Sequence, residues 1–337
     1  MSRETSSAEI AERLLAGDRA ALSRLISWAE NAHPDFPAAL ATLWPRVGRA
    51  WRIGITGPPG SGKSTLTSEL VALLRRGAAT VGVLAIDPSS PFSGGALLGD
   101  RIRMDERTAD EGVYIRSMAS RESHGGLARA ASDACDVMDA FGIDFILLET
   151  VGVGQAEYDV IGAADTVVVV LCPGAGDGIQ AMKAGLLEVA DILVVNKADL
   201  EGADLLELDL RDALRLRGIR AAPGDPAWEV PVVSASARDG VGLDVLLAGL
   251  EGHRRALEAG SNAERRRRKR ALQVRRVVGE RLDEELWGPG GFTERAESSL
   301  RKSATPYDVA EEILVHLRGV AGPRPAEDAS PTERSPS

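Results

Sequence analysis

Short apolar runs alternate with helical segments along most of the chain from residue 51 onward. The runs are rich in valine, isoleucine and leucine and lie at residues 52–56, 81–86, 145–149, 166–171, 192–196 and 230–235. Segments with helical periodicity lie between them, at residues 63–76, 125–141, 178–190, 204–217 and 242–258. Continuous apolar strands that alternate with helices predict an α/β fold, with a mostly parallel central sheet and helices on both faces.

Helical patterns without strands flank this region. Alanine and leucine dominate residues 6–50, where glycine and proline breaks predict two or three short helices. After a long helical pattern with a glycine break at 288–291, the last residues are polar and rich in proline, which is typical of disorder. The predicted organisation is an N-terminal helical extension (1–50), a main domain (51–260), a C-terminal helical arm (261–320) and a disordered tail (321–337).

Composition and charge restrict the classes of partner. The 337 residues carry a formal net charge of −10, which argues against a nucleic-acid partner. No apolar run approaches the roughly 20 residues that span a bilayer, and the N-terminus lacks the apolar core of a secretory signal. The two cysteines, Cys135 and Cys172, stand apart, so no disulfide framework is expected. The expected location is the cytoplasm, without a membrane partner.

One basic run, RRRRKR at residues 265–270, departs from the acidic average. Apolar residues follow it at near-heptad spacing: Ala271, Val274, Val278, Leu282 and Leu286. This spacing favours the solvated face of a helix over a nucleic-acid site, and it suits pairing with another helix.

The segment GITGPPGSGKST at residues 54–65 fits the phosphate-loop pattern G-x-x-x-x-G-K-[ST], between a predicted strand and a predicted helix. Its glycines let successive N–H groups point at phosphate oxygens, and the helix N-terminus adds a favourable dipole. Lys63 would reach the β- and γ-phosphates, and the Ser64 hydroxyl would ligate Mg²⁺. The predicted phosphate contacts are Gly57, Pro58, Pro59, Gly60, Ser61, Gly62, Lys63, Ser64 and Thr65.

A second motif, NKAD at residues 196–199, closes a later strand and predicts which base is bound. One carboxylate accepts both the N1–H and the N2 amino group of guanine, and Asp199 would take that role; adenine would leave it unpaired. Asn196 would brace the base and the phosphate loop, while the stem of Lys197 would cover the ring. The segment SARDGVG follows the last strand, and its residues Ser236, Ala237 and Arg238 are predicted near the base, with an N–H of Ser236 or Ala237 on the guanine carbonyl. The expected ligands are GTP and GDP with Mg²⁺.

The strand that ends DFILLETVGVGQ predicts part of the metal site. GTPases commonly place an aspartate of D-x-x-G here, whereas this chain has Glu149. Asp144 stands at the start of the strand, too far from its C-terminal end to take the place of that aspartate. Two more carboxylates, Asp87 and Asp100, lie thirteen residues apart in DPSSPFSGGALLGDRIRM at residues 87–104.

Together, DPSSPFSGGALLGDRIRM, ETVGVGQ, PGAGDGIQAMKAG (173–185) and NKAD resemble the methylmalonyl-CoA-mutase-associated G-protein chaperones, a family also labelled as a lysine/arginine/ornithine transport kinase. The resemblance runs from about residue 8 to 318. It implies a P-loop NTPase fold and a homodimer formed through the C-terminal helical arm.

The resemblance also implies roles for individual residues. Asp87, Asp100 and Glu149 would surround Mg²⁺ and the γ-phosphate with Ser64, and residues 87–104 would form a switch that changes with the nucleotide. Lys63 and Gln155 complete the predicted catalytic set. In Ras-like GTPases the glutamine that positions the attacking water directly follows D-x-x-G. Here Val153 directly follows Gly152, and Gln155, two residues later, is the predicted water-positioning residue. Asp177 and Lys183 would relay nucleotide state to a client.

The implied function is GTP hydrolysis coupled to an adenosylcobalamin-dependent acyl-CoA mutase, most often methylmalonyl-CoA mutase, with its adenosyltransferase as a further partner. The GTPase would gate cofactor loading and protect the mutase from inactivation. Three alternatives stay open: a GTP-dependent kinase linked to basic amino-acid transport, a metal-insertion GTPase, and a GTP-binding module that does not hydrolyse GTP. The second is disfavoured because the four histidines and two cysteines are scattered.

Overall fold

The computed structural model describes residues 6–87, 110–119, 126–150, 162–174, 185–217, 228–260, 262–301 and 305–320. Within these ranges, one sheet of seven parallel strands forms the centre of the molecule, in the order β3-β2-β4-β1-β5-β6-β7. The strands are β1 (Trp51–Thr56), β2 (Val81–Asp87), β3 (Val113–Ala119), β4 (Phe145–Thr150), β5 (Thr166–Leu171), β6 (Ile192–Val195) and β7 (Val232–Ser234). All strands end on the same side, which brings the carboxyl ends of β1, β4 and β6 to one edge of the sheet.

Helices cover both faces of the sheet, as the alternating pattern predicts. The described helices are α1 (Ser7–Leu15), α2 (Arg19–Glu30), α3 (Phe36–Leu43), α4 (Lys63–Arg76), α5 (Gly126–Phe141), α6 (Leu186–Val189), α7 (Ala203–Arg217), α8 (Leu243–Ala259), α9 (Asn262–Trp287), α10 (Thr293–Arg301) and α11 (Pro306–Val320). One apolar core joins the sheet to α4 and α8. The other joins it to α5 and to the N-terminal helices α1–α3. The predicted α/β fold is therefore confirmed.

The edge strand β3 was missed in the sequence. Its polar residues Arg116 and Ser117 interrupt the apolar run that marks the other strands. The N-terminal helices cover this strand: Arg19 donates a hydrogen bond to the carbonyl oxygen of Val113 at 2.6 Å. Arg116 forms an ion pair with Glu30. The helices before residue 50 thus complete the sheet edge, since they satisfy polar groups that an edge strand would otherwise expose.

The interpretation of residues 265–270 as a solvated helix face is wrong for four of the six residues. Arg265, Arg266, Lys269 and Arg270 are half-buried, whereas Arg267 and Arg268 are exposed. The four half-buried side chains face the end of the sheet at which the strands begin. Arg266 pairs with Asp165, just before β5, at 2.9 Å, and Arg270 pairs with Asp136 on α5 at 2.5 Å.

A buried charge network forms where α9 meets the sheet. Arg52, near the start of β1, pairs with Asp136 at 2.6 Å, so this fully buried carboxylate holds two guanidinium groups. Burial alone would raise the pKa of Asp136, but the charges of Arg52 and Arg270 and their hydrogen bonds outweigh it and lower that pKa. The network therefore stays ionised and fastens the first turns of α9 to the domain.

The second compact unit comprises residues 277–337, of which the structure describes the end of α9 together with α10 and α11. Arg295 pairs with Glu312 at 2.5 Å, and the rings of Phe292 and His316 meet edge to face with centroids 5.2 Å apart. These contacts join α10 to α11. Among the helices of the described ranges, none combines the length and the apolar character needed to cross a membrane.

The charge network predicts a large effect on stability for Asp136→Ala. We expect the free energy of unfolding to fall by about 3–5 kcal/mol, because Arg52 loses its main partner while it stays buried. Urea denaturation followed by circular dichroism measures this change. Asp212→Ala, which breaks the exposed pair with Arg215 on α7, is the control and should change the free energy by less than about 1 kcal/mol. Equal effects of the two substitutions would contradict the structural role assigned to the network.

Candidate functional site

The loop between β1 and α4 is held by very close backbone packing. A Cβ atom at Gly57 would lie 2.0 Å from the carbonyl oxygen of Val170, and one at Gly62 would lie 2.3 Å from Nδ2 of Asn196. Both glycines also have positive φ values, 141° and 89°, which other residues rarely adopt. The sequence needs glycine at these two positions because a neighbouring strand end and a side chain occupy the space.

Lys63 begins α4 and folds back over this loop. Its Nζ donates hydrogen bonds to the carbonyl oxygens of Gly57 at 2.7 Å and Pro58 at 2.9 Å, and the side chain is buried. The hydroxyl of Ser61 is also buried and has no hydrogen-bond partner among the described residues. Pro59 and Gly60 are exposed at the tip, and Thr65 lies in the first turn of α4.

The end of β4 contacts the start of α4. Ser64 donates a hydrogen bond from Oγ to Oε1 of Glu149 at 2.5 Å. Glu149 is buried, so a carboxylate and a hydroxyl lie together beside the phosphate loop. Asp87 closes β2, directly after Ile86, which pairs in register with Thr150. Asp144 lies at the opposite end of the sheet, where its carboxylate accepts the N–H of Thr80 at 2.7 Å.

Two threonines that the sequence analysis did not single out join the same strand ends. Thr150 donates a hydrogen bond from its hydroxyl to Oγ1 of Thr56 at 3.1 Å, and both side chains are buried. The aligned ends of β1 and β4 place them side by side. Predicting this pair requires the register of β1 and β4, which sequence periodicity does not reveal.

Asn196 links three segments at the end of β6. Its Nδ2 donates to the carbonyl oxygen of Ser61 at 2.8 Å, and its Oδ1 accepts the N–H of Ala237 at 3.1 Å. Lys197 adopts a positive φ of 58° and donates from Nζ to the carbonyl oxygen of Gly60 at 2.7 Å. The side chain of Asn196 therefore contacts both the phosphate loop and the segment after β7.

The carboxylate of Asp199 faces the segment after β7. It accepts hydrogen bonds from Oγ of Ser236 at 3.0 Å and from the guanidinium of Arg238 at 3.3 Å. Hydrogen bonds from Ser236 and then Arg238 lower the pKa of the neighbouring Asp239, so negative charge is retained here. Two carboxylates and an exposed arginine therefore surround the predicted base position.

The N–H groups of Ser236 and Ala237, which were predicted near the guanine carbonyl, have partners within the protein. The N–H of Ser236 donates to the carbonyl oxygen of Val241 at 3.0 Å, and the N–H of Ala237 donates to Asn196. Both donors are thus engaged within the protein. The tight turn that brings Ser236 back to Val241, which the sequence pattern did not indicate, accounts for the first of these bonds.

Four predicted residues lie outside the described residues: Asp100, Gln155, Asp177 and Lys183. The side chain of Asp87 is likewise not among those described. The structure therefore brings together Lys63, Ser64 and Glu149 at the phosphate loop, and Asn196, Lys197 and Asp199 beside it. Across the described ranges, no group of three or more histidine, cysteine, aspartate or glutamate side chains is placed to hold a metal ion.

Comparison with known proteins gives the context of this site. A model of the family "Methylmalonyl Co-A mutase-associated GTPase MeaB" matches residues 22–290. A Pyrococcus abyssi protein whose name describes it as a GTPase is 44% identical over 316 residues, which cover 92% of this chain and 97% of that protein. The GTPase ArgK of Escherichia coli is 33% identical over 277 residues, covering 81% of this chain and 83% of ArgK.

Two further likenesses extend the comparison. The mouse protein "Methylmalonic aciduria type A homolog, mitochondrial" is 36% identical over 247 residues, covering 68% of this chain and 59% of that protein. A solved structure described as a LAO/AO transport system kinase superposes with a TM-score of 0.70 at 26% identity, covering 94% of this chain and 99% of that one. The family match spans the phosphate loop, the NKAD and SARDGVG segments and the whole of α9. The chain therefore belongs to the methylmalonyl-CoA-mutase-associated GTPase family and is a GTPase.

Proposed function

We propose that this GTPase depends on Mg²⁺ and acts as a chaperone of an adenosylcobalamin-dependent acyl-CoA mutase, with methylmalonyl-CoA mutase as the client. The observation that carries the proposal is the match of residues 22–290 to a family described by its association with this mutase. The mouse relative, named for methylmalonic aciduria, adds support. Nucleotide state would control when the mutase receives its cofactor and would protect it from inactivation. The adenosyltransferase that supplies the cofactor would be a further partner.

The phosphate loop would hold the nucleotide phosphates through its backbone N–H groups and the cation of Lys63. Lys63 donates to two loop carbonyl oxygens, 2.7 and 2.9 Å away, so its cation lies over the loop. The buried hydroxyl of Ser61 offers a further donor. A helix N-terminus, glycine N–H groups and a lysine together favour the charge of the β- and γ-phosphates.

The donor set at Ser64 and Glu149 suits Mg²⁺, which prefers oxygen ligands. Their oxygens lie 2.5 Å apart, so the carboxylate orients the hydroxyl that would coordinate the ion. Asp87 and Asp100 would complete the surroundings of the ion. Bound there, Mg²⁺ would neutralise charge on the transferring phosphoryl group. Gln155 would position the attacking water, and the absence of a glutamine directly after Gly152 is consistent with slow intrinsic hydrolysis.

Guanine would be selected by Asp199. In the structure this carboxylate is already oriented by Ser236 and Arg238, and its side chain is 33% exposed, so a ligand can reach it. The stem of Lys197 would cover the base, and Asn196 would hold the loop beneath it. Adenine would present an acceptor to the carboxylate and would be rejected.

Homodimerisation through the C-terminal arm is the second part of the proposal. Val274, Val278 and Leu282 follow one stripe of α9 and are 61%, 50% and 44% exposed. Their near-heptad spacing suits a helix of a second copy of the chain. Burial of this stripe would contribute roughly 25 cal/mol per Å² of apolar surface.

A GTP-dependent protein kinase is the alternative, favoured by the description of the solved structure as a transport system kinase. Incubation with GTP labelled at the γ-phosphate and a periplasmic binding protein distinguishes the two functions. A kinase transfers the label to protein, whereas the proposed chaperone releases it as inorganic phosphate.

The base assignment predicts a change of specificity for Asp199→Asn. The affinity for GDP should fall by about two orders of magnitude or more, because an amide cannot accept both guanine donors. Affinity for xanthosine diphosphate should rise, since the amide can donate to the extra carbonyl of xanthine. Calorimetric titration with both nucleotides measures the change, and Asp212→Asn on α7 is the control. Unchanged preference for GDP would remove Asp199 from the base site.

The chaperone proposal predicts that the client mutase accelerates GTP turnover. Lys183→Ala should lose this acceleration at an unchanged intrinsic rate, because Lys183 and Asp177 are proposed to relay nucleotide state without touching the phosphate. Phosphate release with and without excess mutase gives both rates, and Arg215→Ala serves as the matched control. No acceleration of the wild type by the mutase would contradict the proposed partner, and an equal fall of both rates would place Lys183 in the active site.

A further inference from the structure

A cavity of about 250 Å³ opens between α9 and the beginnings of β1 and β5. Arg52 lines it from β1, Asp165 from the turn before β5, and Arg266 and Lys269 from α9. The phosphate loop follows the other end of β1, and six strand residues at about 3.3 Å each separate the two places by roughly 20 Å. The cavity is therefore distinct from the nucleotide site.

Positive charge exceeds negative charge in the wall of this cavity. The cationic lining residues are Arg52, Arg266, Lys269, Arg270 and Arg276, and the carboxylates among the lining residues are Asp139 and Asp165. Asp136 lies behind the wall and is shared between Arg52 and Arg270. Asp139 already accepts three backbone N–H groups, from residues 48–50, at 2.7–3.1 Å. The wall thus carries five cations and two carboxylates, and one of these two, Asp139, which also lies 3.5 Å from Arg52, is largely used by the backbone.

Among the cations of the cavity wall, Lys269 is the least compensated by carboxylates. Its Nζ donates to the carbonyl oxygen of Ala164, and within the described part of the chain it forms no ion pair. Burial lowers the pKa of Lys269 to about 8, and repulsion from Arg265 and Arg52 opposes the attraction of Asp165 and Asp191. An anion in the cavity would compensate for both the burial and the repulsion.

The rim of the cavity carries an aromatic ring. Trp44 is 47% exposed, and the guanidinium of Arg270 lies 4.8 Å from the centre of its ring. The volume of about 250 Å³ is below the usual range for a complete small-molecule ligand, but it accommodates a diphosphate group. Guanidinium groups bind phosphate oxygens in a bidentate manner and lysine binds them as a point charge.

We propose that this cavity is a second anion site, which binds a diphosphate group either as the free ion or as part of a nucleotide whose ring stacks on Trp44. This anion site is independent of the identity of the mutase client. It requires only that the cations on α9 and β1 converge on one cavity, as the structure shows.

Calorimetric titration of inorganic diphosphate into the full chain tests the proposal. The protein is first saturated with GDP and excess Mg²⁺, so that the phosphate loop is filled. We expect one further diphosphate per chain. Arg276→Gln and Lys269→Gln should each weaken its binding about tenfold or more, since each removes a charge-assisted contact. Arg275→Gln, the exposed neighbour outside the cavity wall, is the matched control and should bind within about twofold of the wild type.

Proton uptake gives a readout that a purely structural role would not move. An anion beside Lys269 should raise its pKa, so binding at pH 8 should take up protons, measured as a dependence of the heat on the buffer. Lys269→Gln should abolish this uptake. The charged and titratable groups that face Lys269 are Arg52, Asp165, Asp191, His253 and Arg265.

Two results would overturn the proposal. One is the absence of binding heat with millimolar diphosphate to GDP-saturated protein whose thermal unfolding is normal. The other is equal weakening by Arg275→Gln and Arg276→Gln, which would indicate non-specific attraction to a basic helix. Adenosine diphosphate as a second probe distinguishes the sources: tighter binding than diphosphate, lost in Trp44→Ala, assigns a nucleotide, and equal binding assigns the free ion.

Discussion

One buried amide, the side chain of Asn196, determines how the nucleotide end of the sheet is assembled. It donates to the carbonyl oxygen of Ser61 at 2.8 Å and accepts from the N–H of Ala237 at 3.1 Å. These bonds join the loop after β1, the end of β6 and the segment after β7, which are far apart in the chain. Because the amide fills the space beside Gly62, that position cannot carry a side chain. Asn196 therefore ties the phosphate loop to the segment after β7, whose Ser236 contacts Asp199.

The opposite end of the sheet is organised by charge. Arg52, Asp136, Asp165 and the basic run of α9 form a network of ion pairs at 2.5–2.9 Å. This network fixes the start of α9 to the strands that carry the phosphate loop at their other end. Hydrogen bonds between side chains and backbone groups dominate the nucleotide end of the sheet, and ion pairs dominate the opposite end. The first turns of α9 are thus held at the start of β1, and the other end of this strand leads into the phosphate loop.

Much of this arrangement follows from the sequence because the relevant signals are local. The phosphate-loop motif, the continuous apolar strands and the helix α4 at residues 63–76 were predicted where the structure has them. The partners of the basic run were not predictable, because they come from α5 and from turns before two strands, more than 70 residues away in the chain. The strand β3 escaped detection because Arg116 breaks its apolar pattern and finds its partner on α2. The internal hydrogen bonds of Ser236 and Ala237 depend on loop conformation, which residue types alone do not specify.

The account depends most directly on Asn196, so the decisive measurement is the affinity of Asn196→Ala for GDP with Mg²⁺, determined by calorimetry on protein of verified fold. Loss of hydrogen bonds to buried backbone groups costs about 1–3 kcal/mol each, so the account predicts a weakening of GDP binding of about a hundredfold, together with a lower unfolding midpoint in a protein that still folds. An affinity within twofold of the wild type would show that the loops hold their geometry without this amide, and would contradict the account.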